Sequence, residues 1–89
     1  MAVKLKDGRE ADLELFKFDS CPFCIRVLVK LKGLKNGKGV RLRDTSKEPG
    51  AEAELVKRGG DDQVPCLFID GQPMYESADI IAWLDANVA

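Results

Sequence analysis

Residues 13–34 read LELFKFDSCPFCIRVLVKLKGL, and this stretch decides the fold. Residues 13–18 (LELFKF) alternate apolar and polar side chains and end in aromatics, the pattern of a half-buried strand. Asp19-Ser20 breaks the alternation. Pro22 then stands where a first helical residue would, since its fixed φ suits that position and its missing N–H is one the first turn leaves unpaired. Ile25, Leu28, Leu31 and Leu34 recur at helical spacing. Gly33 and Asn36-Gly37 end the helix, with Gly39 close behind. A strand therefore runs into a helix whose start carries Cys21 and Cys24.

Downstream, residues 40–43 alternate again as a short strand. Thr45 and Glu48 have capping-box spacing, which predicts a helix beginning at Thr45 or Ser46 and running through Glu54 to Arg58. Pro49 falls in or beside its first turn, where a missing N–H costs little. Gly59-Gly60-Asp61-Asp62 is a turn. Residues 66–69 form a short apolar strand, Asp70-Gly71 is a strong hairpin signal, and residues 73–75 supply the return strand. Ser77 precedes a last helix carrying Ile80, Ile81, Trp83 and Leu84. Upstream, Asp7-Gly8 signals a turn in a polar, mixed-charge segment, and residues 1–11 are expected to form an N-terminal arm. The order is β-α-β-α-β-β-α: a four-stranded mixed sheet flanked by helices, with a parallel first β-α-β and an antiparallel hairpin.

The 89 residues, 45% of them apolar, suffice for a single domain over residues 1–89 with one small core. A net charge of −1 argues against a dedicated nucleic-acid binder. No apolar run approaches the ~20 residues needed to cross a bilayer. The first residues hold no apolar core that could act as a secretory signal. A soluble cytoplasmic protein is expected.

The chain has three cysteines and no histidine. The missing histidine excludes a Cys–His nucleophile pair and mixed Cys/His zinc sites. Three thiols are too few for a disulfide scaffold, and a Cys-x-x-Cys pair in a reducing compartment is more often catalytic or metal-binding than a permanent staple. Zinc is disfavoured: with Cys66 the only other thiol, a closed site would need carboxylates or a second chain. Cys66, in an apolar run, is expected to be a small core residue. At a helix start Cys21 meets unpaired N–H groups and the positive end of the helix dipole, which stabilise the attacking thiolate. Cys24 lies about one turn further along the same face, close enough to attack a mixed disulfide formed on Cys21. Cys21 is thus the expected nucleophile and Cys24 the resolving thiol.

Three motifs in order carry a resemblance: Cys21-Pro22-Phe23-Cys24, Gln63-Val64-Pro65 opening a strand, and Tyr75-Glu76-Ser77-Ala78-Asp79-Ile80 opening the last helix. Together they resemble the glutaredoxin group of the thioredoxin fold, and the last motif is similar to the glutathione-binding N-terminal domain of glutathione transferases. The resemblance implies a cis Val64–Pro65 bond against the active-site cysteine. It also implies Val64 backbone groups pairing with the cysteinyl part of glutathione, and Phe23 beside that ligand. It assigns Glu76 and Ser77 to the γ-glutamyl end; a carboxylate suits an ammonium, and a hydroxyl with free N–H groups suits a carboxylate. Read without the resemblance, Ser77 would simply cap its helix and Glu76 would be solvated. Lys47 is the candidate for the glycine carboxylate, with Arg26 second. Many glutaredoxins carry a lysine three residues before the first cysteine; Phe18 stands there, and Lys17 would point to the other face of the strand.

The implied function is a monomeric, glutathione-dependent dithiol–disulfide oxidoreductase with no tightly bound cofactor or metal. Glutathione is its co-substrate, and its partners are disulfide-containing or glutathionylated proteins rather than nucleic acid or membrane. The alternatives are a stand-alone glutathione-transferase-like domain and an iron–sulfur or zinc-binding module.

Overall fold

Five strands and three helices follow one another as β1 (Ala2–Lys4), β2 (Glu10–Lys17), α1 (Pro22–Lys32), β3 (Arg41–Asp44), α2 (Ala51–Gly59), β4 (Cys66–Ile69), β5 (Gln72–Met74) and α3 (Ser77–Asn87). This computed structural model describes residues 2–89. All five strands join one sheet around β2. Along one edge of β2, β1 pairs antiparallel with residues 10–12 and β3 pairs parallel with residues 14–17. The other edge takes β4 antiparallel, and β4 takes β5. The fold is mixed α/β and thioredoxin-like, as the element order predicts.

The sheet has five strands rather than four, because β1 lies inside the segment expected to be an arm. A three-residue strand with one buried side chain, Val3, is too short to display a period of two. The Asp7-Gly8 turn is present, with Gly8 at φ 90°, and the Leu5 N–H donates to the Arg9 carbonyl at 2.7 Å across it. That turn joins two strands, and β2 consequently starts at Glu10 instead of residue 13.

The second helix also differs from expectation. It starts at Ala51, behind Gly50 in the left-handed region (φ 84°), rather than at Thr45 or Ser46. The capping box does not form because its members are engaged elsewhere. The Thr45 N–H donates to the Lys17 carbonyl at 2.9 Å, and the Glu48 carboxylate takes Arg43 at 2.6 Å. The Asp44 carboxylate instead accepts the Ser46 and Lys47 N–H groups, both at 2.9 Å, and organises a turn where a first helical turn was expected. The Asp70-Gly71 hairpin has both residues at positive φ (50° and 86°), as a type I′ turn demands.

The period of two along β2 separates two cores. Leu13 and Leu15 face α1 and α3 in a cluster with Val27, Leu31, Ile80 and Leu84. Phe16 faces α2 in a smaller cluster with Ala51, Leu55, Cys66 and Phe68. Arginines seal this second core: Arg58 lies 4.3 Å over the Phe68 ring and Arg43 lies 5.1 Å over Phe16. Glu14, only 3% exposed on the same face, is paired with Arg43 at 2.6 Å and Arg58 at 3.0 Å. The face of α1 is rotated from the expected one: Cys24, Val27 and Leu31 are buried, whereas Ile25 is 45% exposed. Steps of three residues advance 300° around a helix, so positions 25, 28, 31 and 34 drift half a turn and cannot share one face.

Candidate active site

Strands β2 and β3 run parallel and end together, at Lys17 and Asp44. The loop after β2 delivers Cys21 to the start of α1 at that end of the sheet. Across β2, Cys66 pairs with Phe16, so the segment before β4 reaches the same end. The Val64–Pro65 bond in that segment is cis and Pro65 is fully buried. Clefts beyond the carboxyl ends of parallel strands are where such folds ordinarily place ligands.

Cys21 caps α1: its extended backbone (φ −78°, ψ 117°) turns into the helix, and its Sγ accepts the Cys24 backbone N–H at 3.3 Å. Its carbonyl accepts the Ile25 N–H at 2.9 Å, with Pro22 in the first turn. Both thiols are free. Cys24 is fully buried, and burial, with the contact to Cys21, pushes its pKa up to about 12. The Lys17 ammonium opposes that shift. The two cysteines are thus placed differently: Cys21, 6% exposed, caps the helix, and Cys24, fully buried and held protonated, lies behind it. Cys66 packs with Phe16 and Phe68, as a core residue would, and burial raises its pKa to about 11.

Lys17 and Phe18 point to opposite sides of the strand end. Phe18 lines an open groove of about 440 Å³ together with Ser20, Thr45 and Val64, a size suited to a small ligand. Lys17 lies on the other side, its side chain only 12% exposed, between Asp19 at 2.7 Å and Asp44 at 3.3 Å. Those partners raise its pKa, Asp19 foremost. The sequence signal for this ion pair is a lysine continuing the inward series Leu13, Leu15, Lys17.

The remaining site candidates divide. Lys47 follows Ser46 of the groove without lining it, and its ammonium is held by Asp19 at 2.7 Å, so a ligand carboxylate would compete with that pair. Phe23 is 57% exposed in the first turn of α1. Arg26 lies on the outer surface of α1 with Lys30, beside Ile81 of α3, apart from the groove. Glu76 is exposed, has no ion pair among the described residues, and takes φ 70°, ψ 112°, the left-handed side of the map. It is Glu76, not Ser77, that occupies the cap position of α3, and no side chain caps this helix. Ser77 is its first residue, and the first-turn N–H groups have no partner within the helix.

A mixed sheet with a Cys-x-x-Cys at the mouth of its first helix and a cis-proline strand at the same end defines the thioredoxin-like class. Residues 15–89 match the glutathione S-transferase N-terminal domain family. The chain is 35% identical over 79 residues to glutaredoxin 3 of Escherichia coli strain K12, covering 86% of this chain and 89% of that protein. It superposes on glutaredoxin 2 from Salmonella typhimurium, solved in complex with glutathione, with a TM-score of 0.61 and 28% identity over 82% of this chain. Glutathione transferase Omega 3C from Trametes versicolor gives 0.68 and 22% over 83%. The chain spans 32% of the length of either of these two structures. The protein belongs to the glutaredoxin family, in the part of the thioredoxin fold shared with glutathione transferase N-terminal domains. Its function is of the glutaredoxin redox type. Among the described residues no helix is long and apolar enough to cross a membrane.

Proposed function

We propose that the protein is a glutathione-dependent dithiol–disulfide oxidoreductase that reduces protein disulfides and glutathione mixed disulfides. The observation that carries this reading is the pair of unlike thiols: Cys21 Sγ at the mouth of α1, bonded to the Cys24 N–H at 3.3 Å, with Cys24 buried behind it. The Cys21 thiolate attacks the glutathione sulfur of a mixed disulfide. A Cys21–glutathione disulfide forms, and the other thiol leaves as a thiolate and takes a proton. A second glutathione thiolate then attacks the glutathione sulfur of that adduct, giving glutathione disulfide and restoring Cys21. With a protein disulfide, the Cys21 thiolate attacks one sulfur and frees the other as a thiolate that takes a proton. Cys24 then loses its proton and attacks Cys21 Sγ of that mixed disulfide, forming the Cys21–Cys24 bond and releasing the protein as a dithiol. Two glutathione molecules reduce the Cys21–Cys24 bond and leave as one glutathione disulfide.

Glutathione lies along the groove past Phe18 and Val64. The Val64 backbone pairs with its cysteinyl unit, Phe23 flanks it, and Pro65 shapes the wall beside Cys21. Glu76 takes the γ-glutamyl ammonium, and Ser77 with the open N–H groups of α3 takes the carboxylate. Lys47 exchanges Asp19 for the glycine carboxylate. Both thiols and every ligand group come from one copy, so the monomer is the working unit. A dithiol of this kind operates in a reducing compartment such as the cytoplasm.

Reduction of hydroxyethyl disulfide by glutathione, coupled to glutathione reductase, tests the proposal. The wild type turns over and Cys21→Ser does not. A wild type that is inactive there but conjugates chlorodinitrobenzene would overturn the reading in favour of a transferase.

A further inference from the structure

We propose that the outer surface of α1, with Leu42 of β3 beside it, docks an acidic, aliphatic segment of the protein substrate. This rests on the redox reading above and adds to it what kind of protein is reduced. Ile25 and Val29 are 45% and 63% exposed, and Leu42 is 51% exposed. The three line one shallow groove of about 490 Å³. Ile25 and Val29 follow Cys21 at intervals of four, so they form a ridge on its side of the helix, about 12 Å long at 1.5 Å per residue. An apolar ridge leading away from a nucleophile is suited to hold the chain whose disulfide that nucleophile opens.

The charge around the ridge is one-sided. Residues 20–42 carry six basic side chains and no acidic one, in a chain of net charge −1. Lys30 is engaged by Asp85 at 2.6 Å and Arg41 by Asp12 at 3.2 Å. Arg26, Lys32, Lys35 and Lys38 have no ion pair among the described residues, and Lys32 and Lys38 line the groove itself. Asp19, at its active-site end, is already bound by both Lys17 and Lys47 at 2.7 Å. Asp19 is the one acidic side chain lining the groove, and its pair with Lys17 persists when a ligand carboxylate draws Lys47 away. Aliphatic side chains between unpaired cations match a peptide with aliphatic residues among aspartates and glutamates. They offer no aromatic platform for nucleic-acid bases, which stack on rings.

The test uses two synthetic peptides, each with one glutathionylated cysteine followed by leucines, flanked in one by glutamates and in the other by lysines. Hydroxyethyl disulfide serves as a small substrate that cannot reach the ridge. The proteins are wild type, Val29→Ser and the double variant Lys32→Glu/Lys38→Glu. The expected wild-type kcat/KM is about tenfold higher for the acidic peptide, narrowing as salt screens the attraction. The double variant should lose that preference, and Val29→Ser should lose about tenfold on the acidic peptide. All three should reduce hydroxyethyl disulfide equally. Equal wild-type rates on the two peptides, with normal hydroxyethyl disulfide turnover, overturn the docking proposal and leave the redox reading intact. Wild-type failure on hydroxyethyl disulfide overturns the redox reading and the docking proposal with it. Binding of duplex DNA or phosphatidylserine vesicles that the double variant abolishes would assign the surface to another partner and overturn the proposal. A wild-type dimer in sedimentation that Val29→Ser disperses would do the same.

Discussion

The Cys24 backbone N–H donates to Cys21 Sγ at 3.3 Å, while the Cys24 side chain itself is completely buried. The backbone of the second cysteine therefore serves the first, and only its thiol is held in reserve. Substitution of the Cys24 side chain can remove the reserve thiol and leave the N–H in place.

Cys24→Ser should accordingly retain activity on glutathione mixed disulfides, where glutathione resolves the intermediate. It should lose most activity on protein disulfides, where the attack of Cys24 on Cys21 is needed. Coupled assays with a glutathionylated peptide and with an intact protein disulfide make the comparison. Equal loss on both substrate types would contradict the assignment.

Glu76→Gln should raise the Michaelis constant for glutathione roughly ten- to hundredfold, since losing a hydrogen bond to a charged group costs about 1.5–3 kcal/mol. Cysteine and β-mercaptoethanol lack the γ-glutamyl end, and their rates as reductants should barely change. Iodoacetamide alkylation of Cys21 across pH should also be unaltered. Uniform slowing with all three thiols would mean that Glu76 acts on the sulfur chemistry instead.

Alkaline pH should destabilise the reduced protein through its buried thiols. Burial raises Cys24 from 9.0 to about 12 and Cys66 from 9.0 to about 11. Above pH 9 the unfolded chain gives up these protons and the folded one keeps them, so stability falls as pH rises until the folded values are passed. The slope is about 1.4 kcal/mol per pH unit for each thiol. Urea unfolding between pH 8 and about 10.5 should show this fall, and Cys24→Ser should remove roughly half of the thiol-dependent part.

Two glycines should respond oppositely to alanine. A Cβ on Gly37 would run into the Leu31 carbonyl oxygen, whereas one on Gly33 meets nothing closer than 3.5 Å. Gly33 also has an ordinary right-handed backbone at φ −80°. Gly37→Ala should cost about 2 kcal/mol or more, because backbone must move. Gly33→Ala should be neutral or stabilise by up to about 1 kcal/mol, by restricting the unfolded chain. Thermal unfolding of both variants decides it.

The order of the main elements was legible because their signals are local: alternation in residues 13–18, Pro22 at a helix start, and Asp70-Gly71 in a hairpin. Apart from the buried face of α1, where the spacing itself drifts around the helix, the differences from the sequence reading are non-local. Strand β1 exists because Val3 finds Ala11, a pairing that three residues cannot announce. The capping box at Thr45 looked sound, but Arg43 takes Glu48 and β2 takes the Thr45 N–H. At the site, the cysteines, Val64–Pro65 and Glu76-Ser77 stood out as motifs. The Lys17–Asp44 pair did not, since it requires two parallel strands to end in register. Nor could the sequence say that Glu76 would take the cap position with φ 70°.

The sheet divides the interior unequally, and this sets an order in which parts of the molecule open. Helix α2 buries only Ala51 and Leu55, and much of what fastens it is ionic: Glu54 bonds Arg43 at 2.9 Å and Arg58 at 2.8 Å near the surface. Ion pairs of that kind weaken with salt, while the packing of α1 and α3 on Leu13 and Leu15 does not. Amide protons of α2 should therefore exchange with solvent through a cheaper, subglobal opening than those of β2, and the gap should widen with ionic strength. Since Thr45 on the approach to α2 also lines the candidate glutathione groove, that opening would breathe against the ligand site. Bound glutathione would then slow exchange throughout a helix that meets the groove only at its approach and at Glu52 in its first turn.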